Sequence, residues 1–404
     1  MAETVRIQSL GAKGDGVAEL AGKPTFVPFT LPGELVEIGS GPTNRILEPS
    51  SERRPAPCPH FGACGGCDVQ HASEEFYRAW KRDLVVQALA RRGIETEVDG
   101  LVPCPPASRR RAVFSASRQG GRVQLGFFEA ESHRLADLSV CLVVVPAIAS
   151  RLDDLRKLAA LVIDRRRPAR LTVTATASGL DIAVSEAARL EESSRQALIC
   201  LALQQDFARL TVNGEAVVEA RRPVIDVAGT AMVPPPGGFL QAVAEAEAAM
   251  ADLTLGYLKG ARQVADLFAG SGAFALRLAK GARVHAVESD APALSALDQA
   301  ARHAGGLKPV TSERRDLFRR PLTAKELSRF DGIVFDPPRV GAEALCHELA
   351  RAQVTRLVAV SCNPTTLARD LNILLVGGFR LQSVTPIDQF LWSHHVEAVA
   401  LLTR

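Results

Sequence analysis

Cys362 sits in VAVSCNP, where an apolar run gives way to Ser361, Cys362, Asn363 and Pro364 and then to the helix-like TTLARDL. A thiolate is a potent nucleophile, and free amides at the start of a helix favour it over the thiol. This setting predicts a lowered pKa for Cys362; the competing reading is a small buried hydrophobe. Glu397 opens the apolar run EAVALLT just after His394 and His395. A carboxylate there could remove a proton as a general base, or lie on a solvated edge. Asp336 stands in VFDPPR, where Pro337 and Pro338 stiffen the turn and present one carboxylate with little freedom.

Two further stretches are built to hold a ligand. DLFAGSGAFAL places Gly270 and Gly272 at a strand-to-helix turn, with Asp266 before them and Glu288 closing the next strand-like run, HAVESD. Glycines let a ligand approach the backbone, and a carboxylate at the neighbouring strand end can hold ribose hydroxyls. That pattern suits dinucleotides and S-adenosylmethionine alike. CPHFGACGGC gathers Cys58, Cys64 and Cys67 with Gly62, Gly65 and Gly66 in ten positions. The spacing matches neither paired zinc knuckles nor a lone C-x-x-C redox motif, so an iron-sulfur cluster, zinc and unliganded thiols all stay open. A fourth ligand has to come from elsewhere, with Cys104, Cys141, Cys200 and Cys346 as candidates outside SCNP.

The elements that position these residues fall into blocks. Residues 1 to about 48 alternate in short runs between glycine and proline turns, as a small β-barrel requires. SEEFYRAWKRDLVVQALARRG has helical spacing, with Ser73 as N-cap and Gly93 as stop. From about 106 to 230 strand-like LTVTATASGLDIAV and helical ESSRQALICLALQQ predict an α+β domain. Beyond 240 strands alternate with helices, which means a doubly wound, mostly parallel sheet with ligands past the strand ends.

Composition sets outer limits. The chain has 404 residues, 47% hydrophobic and 23% charged, enough for two or three domains with real cores. MAETVRIQSL carries no signal-peptide pattern and no run approaches a membrane span, so the expectation is a cytoplasmic protein without membrane contact. The formal charge is only +3, so a polyanion would be held by local arginine patches, at 109–111, 165–167, 221–222, 314–315 and 319–320, rather than by the protein as a whole. The first block itself leans acidic, which does not nominate it as the main surface for a polyanion.

Taken together, CPHFGACGGCDVQ, DLFAGSGAF, DPPR, VSCNP and HVE resemble, in order, the motifs of the RNA uracil-5 methyltransferase family, closest to enzymes of 23S rRNA. The resemblance implies an α/β fold: a Rossmann-like class I methyltransferase domain at 236–404, an OB-like TRAM barrel at 1–50, an iron-sulfur loop and linking helix at 51–105, and a central α+β RNA-binding domain at 106–235. It implies Cys362 as nucleophile at carbon 6 of uracil and Glu397 as base, with Asp336 and Gln241, from GGFLQAV, meeting substrate and cofactor. Asp266, Phe268, Gly270, Gly272, Glu288 and Asp316 are then further contacts of S-adenosylmethionine. LSVCLVV makes Cys141 the fourth ligand of a [4Fe-4S] cluster with Cys58, Cys64 and Cys67. The implied activity is methylation of a specific uridine, in ribosomal rather than transfer RNA, by a monomer. The family's Tyr-Arg-Asn-Lys-like stretch reads SRRRAVFSA here, and Arg110 is assigned to RNA from it. Arg339 after DPP counts against the rival reading, amino-group methylation, whose enzymes have an aromatic residue there; a non-catalytic RNA-binding protein is the rival outside enzymes.

Overall fold

A computed structural model describes residues 3–38, 44–130, 132, 134–164 and 167–404; Arg165 and Arg166 of the arginine run lie outside the described residues. The C-terminal part is a seven-stranded sheet in the order Val310–Arg314, Arg283–Glu288, Gln263–Leu267, Gly332–Phe335, Arg356–Ser361, Glu397–Thr403, Arg380–Ile387. The first five run parallel. Three of them (263–267, 332–335, 356–361) are buried almost throughout, which is why they read as continuous apolar runs. One core packs helices Glu343–Arg351 and Pro364–Val376 against the sheet, and a second core packs Ala244–Tyr257 and Ala291–His303 against it.

The last strand inverts the direction. Glu397–Thr403 is antiparallel to Arg356–Ser361 with Ala398 opposite Ser361. The strand that starts with Glu397 therefore begins where its neighbour ends, next to Cys362. Two residues far apart in sequence meet because one strand of an otherwise parallel core is reversed.

Strand Val310–Arg314 has no counterpart in the sequence reading. It lies at the sheet edge, half exposed, and spells VTSER, too polar to register as a buried strand. The helix expected over AFALRLAKG is a single turn, Ala275–Leu278.

Residues 3–38 and 44–48 form two three-stranded sheets around Val5, Ile7, Ala18, Val27 and Val36. Residues 111–219 form a seven-stranded mixed sheet, covered by helices Leu152–Val162 and Glu192–Gln204. The helix Glu74–Ala90 lies outside these sheets, touching the first block through Trp80, whose Nε1 donates to the Gly11 carbonyl at 3.3 Å. Ser73 caps it by accepting from the Phe76 amide, and Val85 and Leu89 enter the same core as Leu367 and Leu371. Val98 and Val102 then add single bridges to Val384 and Ile387. Sequence residues 74–102 thus pack as part of the C-terminal sheet.

Along that helix, Lys81 is fully buried. Its Nζ lies 3.0 Å from Asp388, 3.1 Å from the Phe390 carbonyl, and also donates to the His395 carbonyl. Tyr77 donates to Asp388 at 2.7 Å and accepts from the Trp392 amide at 2.7 Å. Burial lowers the Lys81 pKa, and Asp388 opposes that. Removing one partner of such a pair strands the other charge out of water, at a cost of about 3–5 kcal/mol. Lys81→Ala should lower unfolding free energy by that order in urea titration, and Arg78→Ala on the exposed side of the same helix by less than about 1 kcal/mol.

Candidate active site

At the end of Gln263–Leu267 the chain turns sharply through Phe268 and Gly270, both at positive φ (62° and 54°). A non-glycine residue there is strained, a feature that concentrates at functional sites. The Gly270 amide donates to Glu288 at 2.9 Å, and the space where a side chain would stand is open. Glu288 also accepts from the Ser289 and Asp290 amides at 2.6 and 2.8 Å, so its carboxylate is fixed at the rim. Gly272, φ 93°, is needed for packing, because a Cβ there would overlap the Leu297 methyl. Asp316 accepts from the Phe318 and Arg319 amides at 2.9 and 3.2 Å. That turn brings the half-exposed Phe318 ring to 5.3 Å from Phe268. Phe318 escapes the sequence reading because nothing in RRDLFRR ties it to Phe268.

Deeper in, Asp266 is wholly buried. Burial holds its carboxyl well above the usual range against the Ala275 amide, and Asp336 and Glu288 add to the rise. Asp336, partly buried, is pushed up to about 7 by loss of water, while a hydrogen bond from Gln241 works the other way. Gln241 Nε2 donates to Asp336 Oδ2 at 2.8 Å, and Gln241 Oε1 accepts from Gln389 Nε2 at 2.8 Å. Gln389 Nε2 donates also to Glu397 Oε2 at 3.0 Å. Glu397, 2% exposed, has its pKa raised by burial first and by Asp336 second.

Cys362 lies among these acids. Its thiol is pushed up to about 11, by burial first and then by Glu397 and Asp336, with Arg339 opposing. This corrects the expected lowering. The helix Pro364–Val376 does begin beside it, with Asn363 as cap accepting from the Thr365 amide at 3.1 Å. Desolvation and two carboxyls outweigh that helix end. Asn363 and Thr366 donate to the Arg339 carbonyl at 3.0 and 3.1 Å, stapling the DPPR turn to the SCNP turn. The structure thus brings together Cys362, Asp336, Gln241 and Glu397, with Asp266 behind them and Phe268, Gly270 and Glu288 on the adjoining rim.

Arg110 stands elsewhere than on a free surface. Its side chain is 11% exposed, 2.6 Å from Glu247, and donates to the Gln241 carbonyl at 3.2 Å. Arg109 and Arg111 are buried enough to lower their pKa values, and Arg111 donates to the Gly238 carbonyl at 3.0 Å. The triplet braces the loop that carries Gln241. His394 is held by Asp68 at 2.7 Å, and His395 is driven to about 3 by burial and by His394.

The cysteine loop packs on the central sheet. Gly65 lies against the Phe128 carbonyl, where a Cβ would sit 2.5 Å from its oxygen. Cys58, Cys64 and Cys141 act electrostatically on Cys67, which burial pushes up to about 12. Cys104 has a different neighbourhood, facing Asp388, Glu245 and Lys81. Among the described residues no group of three or more His, Cys, Asp or Glu side chains is placed to hold a metal ion.

The sequence model described as tRNA (Uracil-5-)-methyltransferase matches residues 216–404. The 23S rRNA (uracil(1939)-C(5))-methyltransferase RlmD of Chromohalobacter salexigens is 33% identical over all of this chain and 90% of its own length. The chain belongs to the tRNA (uracil-5-)-methyltransferase family. A relative from Brucella suis biovar 1, named an uncharacterized RNA methyltransferase, is 54% identical over 99% of this chain and 97% of its own. The fold agrees with the structure of the Pyrococcus abyssi tRNA (uracil-54, C5)-methyltransferase in complex with S-adenosyl-L-homocysteine. That structure superposes with a TM-score of 0.77 at 21% identity, covering all of both chains.

The family consists of S-adenosylmethionine-dependent RNA methyltransferases of the class I fold, and the site suits that co-substrate. Open space beside Gly270, the fixed Glu288 carboxylate and the Phe268 and Phe318 rings form one rim of the sheet. No helix is long and apolar enough to cross a membrane among the described residues.

Asp336 also supplies a pH test. Its carboxyl is raised in the folded protein relative to 3.8, so the native state holds the extra proton and stability falls as pH rises from about 4 toward 7. Asp336→Asn keeps an oxygen for Gln241 and removes that titration. Urea midpoints measured from pH 4.5 to 7.5 should fall less steeply in the variant than in the wild type; equal slopes would refute the assignment.

Proposed function

We propose that this enzyme methylates carbon 5 of one uridine in RNA through a covalent adduct with Cys362. The observation that carries the reading is the meeting of the Cys362 thiol, the Asp336 carboxyl and the Glu397 carboxyl at three neighbouring strand ends, two closing parallel strands and the third opening the reversed one. S-adenosylmethionine, held along Phe268, Gly270, Glu288, Asp316 and Asp266, supplies an electrophilic methyl group. Carbon 5 of uracil is too weak a nucleophile to take it unaided, which is the chemical reason for a thiol in the site. Cys362 gives up its proton to solvent and bonds carbon 6, the ring electrons move to make carbon 5 nucleophilic, and carbon 5 takes the methyl group with S-adenosylhomocysteine as the leaving group. Asp336, fixed by Gln241, orients the base edge. After methyl transfer Glu397 takes the proton from carbon 5, the double bond re-forms, and the bond from carbon 6 to sulfur breaks.

A thiol at about 11 is protonated in the free protein, so ionisation belongs to the bound state. Arg339, the cation that already opposes the rise, is the residue of this chain placed to favour the thiolate once substrate has displaced water. The target base must leave its stack, which costs a few kcal/mol and favours uridines in loops or single strands. Ribosomal RNA is the favoured target, supported by the named function of the full-length relative at 33% identity; the tRNA enzyme that shares the fold makes tRNA the second reading. Within the proposal, residues 1–50 act as a TRAM-like module and 106–235 as the RNA-binding domain, both in the cytoplasm. With Arg109 to Arg111 engaged inside the protein, RNA has to be met by other side chains.

We also propose a [4Fe-4S] cluster on Cys58, Cys64, Cys67 and Cys141. What supports it is three thiols on one glycine-bearing loop and the electrostatic action of Cys141 on two of them, Cys64 and Cys67. No step of the methyl transfer passes through the cluster.

Two outcomes test these readings. Cys362→Ala should abolish methylation and any covalent adduct with RNA, while Glu397→Gln should accumulate methylated RNA bound to protein, seen as a slow band on a denaturing gel. Normal turnover by Cys362→Ala ends the mechanism. Anaerobically purified protein should contain about four irons per chain and lose them on Cys141→Ser but not Cys104→Ser; stoichiometric zinc, or no metal, ends the cluster assignment.

A further inference from the structure

Gln389 lies eight residues before Glu397 and is 3% exposed. Its Nε2 spans two acceptors, Glu397 Oε2 at 3.0 Å and Gln241 Oε1 at 2.8 Å. Gln241 in turn donates to Asp336 Oδ2 at 2.8 Å. The direction of this chain is not arbitrary. Once ionised, as the base must be when it takes a proton, a carboxylate only accepts, so each end of the chain then demands an N–H, and the two amides satisfy both ends in this orientation. Gln389 Oε1 and Glu397 Oε1 are both buried with no partner. The unpaired Glu397 oxygen is the one left to meet a substrate.

We infer that Gln389 is the positioning residue for the proton-removal step, holding Glu397 by one oxygen so that the other faces carbon 5 of the bound uracil. The inference rests on the reading of Glu397 as the base. In that step the bond from carbon 5 to hydrogen breaks, its electron pair restores the double bond, and the pair of the bond from carbon 6 to sulfur returns to Cys362. The proton arrives on Glu397 Oε1. Gln389 changes no protonation state; it keeps its N–H on Oε2 throughout. Through Gln241 the same amide ties the base to Asp336, so the group that abstracts the proton and the group that meets the base edge move as one unit.

The charged and titratable groups facing Glu397 are Asp336, beyond Gly332–Phe335, Arg339 on the DPPR turn, and Cys362, beyond Arg356–Ser361. Asp336 repels the ionised form, while Arg339 and the Gln389 N–H favour it. Gln389 itself is flanked by Asp388, whose charge is met by Lys81. Losing the Gln389 donor therefore raises the pKa of the base, and the ionised fraction at a given pH falls. The acidic limb of the release rate must move to higher pH.

The test uses RNA tritiated at carbon 5 of uridine with S-adenosylmethionine labelled at the methyl group. Methyl counts in the protein–RNA adduct report transfer, and tritium in water reports proton removal. Gln389→Met keeps the length and removes the amide. It should form the methylated adduct within about twofold of the wild-type rate, and release tritium about 10- to 100-fold more slowly, the size expected for a lost hydrogen bond to a charged group. Its acidic limb should lie at higher pH. Wild-type tritium release, or transfer and release falling together with the limb unmoved, overturns the inference. An adduct with 5-fluorouridine RNA shows that the variant is folded; if Gln389→Met forms none, Gln389→Asn, whose shorter amide cannot span both partners, is read by the same criteria. Glu397→Gln run in parallel separates the two failures: normal tritium release by that variant overturns the base assignment itself.

Discussion

The ion pair between Lys81 and Asp388, closed at 3.0 Å with neither side chain more than 2% exposed, fixes the segment that ends in Glu397. An ammonium out of water needs all its protons satisfied, and Asp388, Phe390 and His395 between them supply the acceptors. The same contacts leave residues 388–395 one arrangement only, with Trp392 held at a positive φ of 59°. Such a backbone costs on the order of 1–3 kcal/mol and persists only where its surroundings over-determine it. Gln389 lies inside the clamped segment, so the amide that touches Glu397 inherits its position from a helix more than 300 residues away in sequence.

Placing Asp266, Asp336 and Glu397 in one desolvated region beside a thiol creates an electrostatic problem that the protein solves with protons rather than with cations. Each carboxyl is raised, and the thiol with them, so the free site carries less charge than four ionisable groups suggest. Among the described residues, Arg339 is the cation acting on both Cys362 and Glu397. A site that is nearly neutral when empty does not repel a polyanion, and ionisation on binding has to come from cations and hydrogen-bond donors brought close, since further loss of water opposes it. Proton affinity here is a property of the cluster, not of any single side chain.

Much of this was legible in the sequence. The buried strands, their succession along the chain and the residues at their ends follow from apolar runs and from the glycines and prolines that close them, and Cys362, Asp336 and Glu397 stand where that pattern puts them. What the sequence hid has three physical causes. The edge strand Val310–Arg314 is polar because one face of it meets water. The Cys362 pKa is set by carboxyls contributed from other strand ends, which local spacing cannot show. Arg109 to Arg111 look like a cationic patch in one dimension, yet Arg110 and Arg111 fold inward to give donors to Glu247 and the carbonyls of 237, 238 and 241, and Arg109 donates to the Arg111 carbonyl and lies over the Phe390 ring. Lys81 and Gln389 escaped for the same reason: a buried polar residue is recognisable only once its partners are in place.

The cysteine loop touches this machinery as directly as the sheet does. Asp68, next to Cys67, accepts from both the amide and Nδ1 of His394, at 2.8 and 2.7 Å, and the Asp68 and Val69 amides donate to the Trp392 carbonyl at 2.7 and 3.0 Å. Residues 388–395 are therefore held from one side by the helix Glu74–Ala90 and from another by the loop that precedes it. The two reacting groups are placed by different means. Cys362 is set by a local strand-to-helix turn, whereas Glu397 depends on contacts that close almost the whole length of the chain. Contacts of such long sequence separation can close only after the segments they join have been brought together. A disturbance of the cysteine loop thus reaches the base before it reaches the nucleophile.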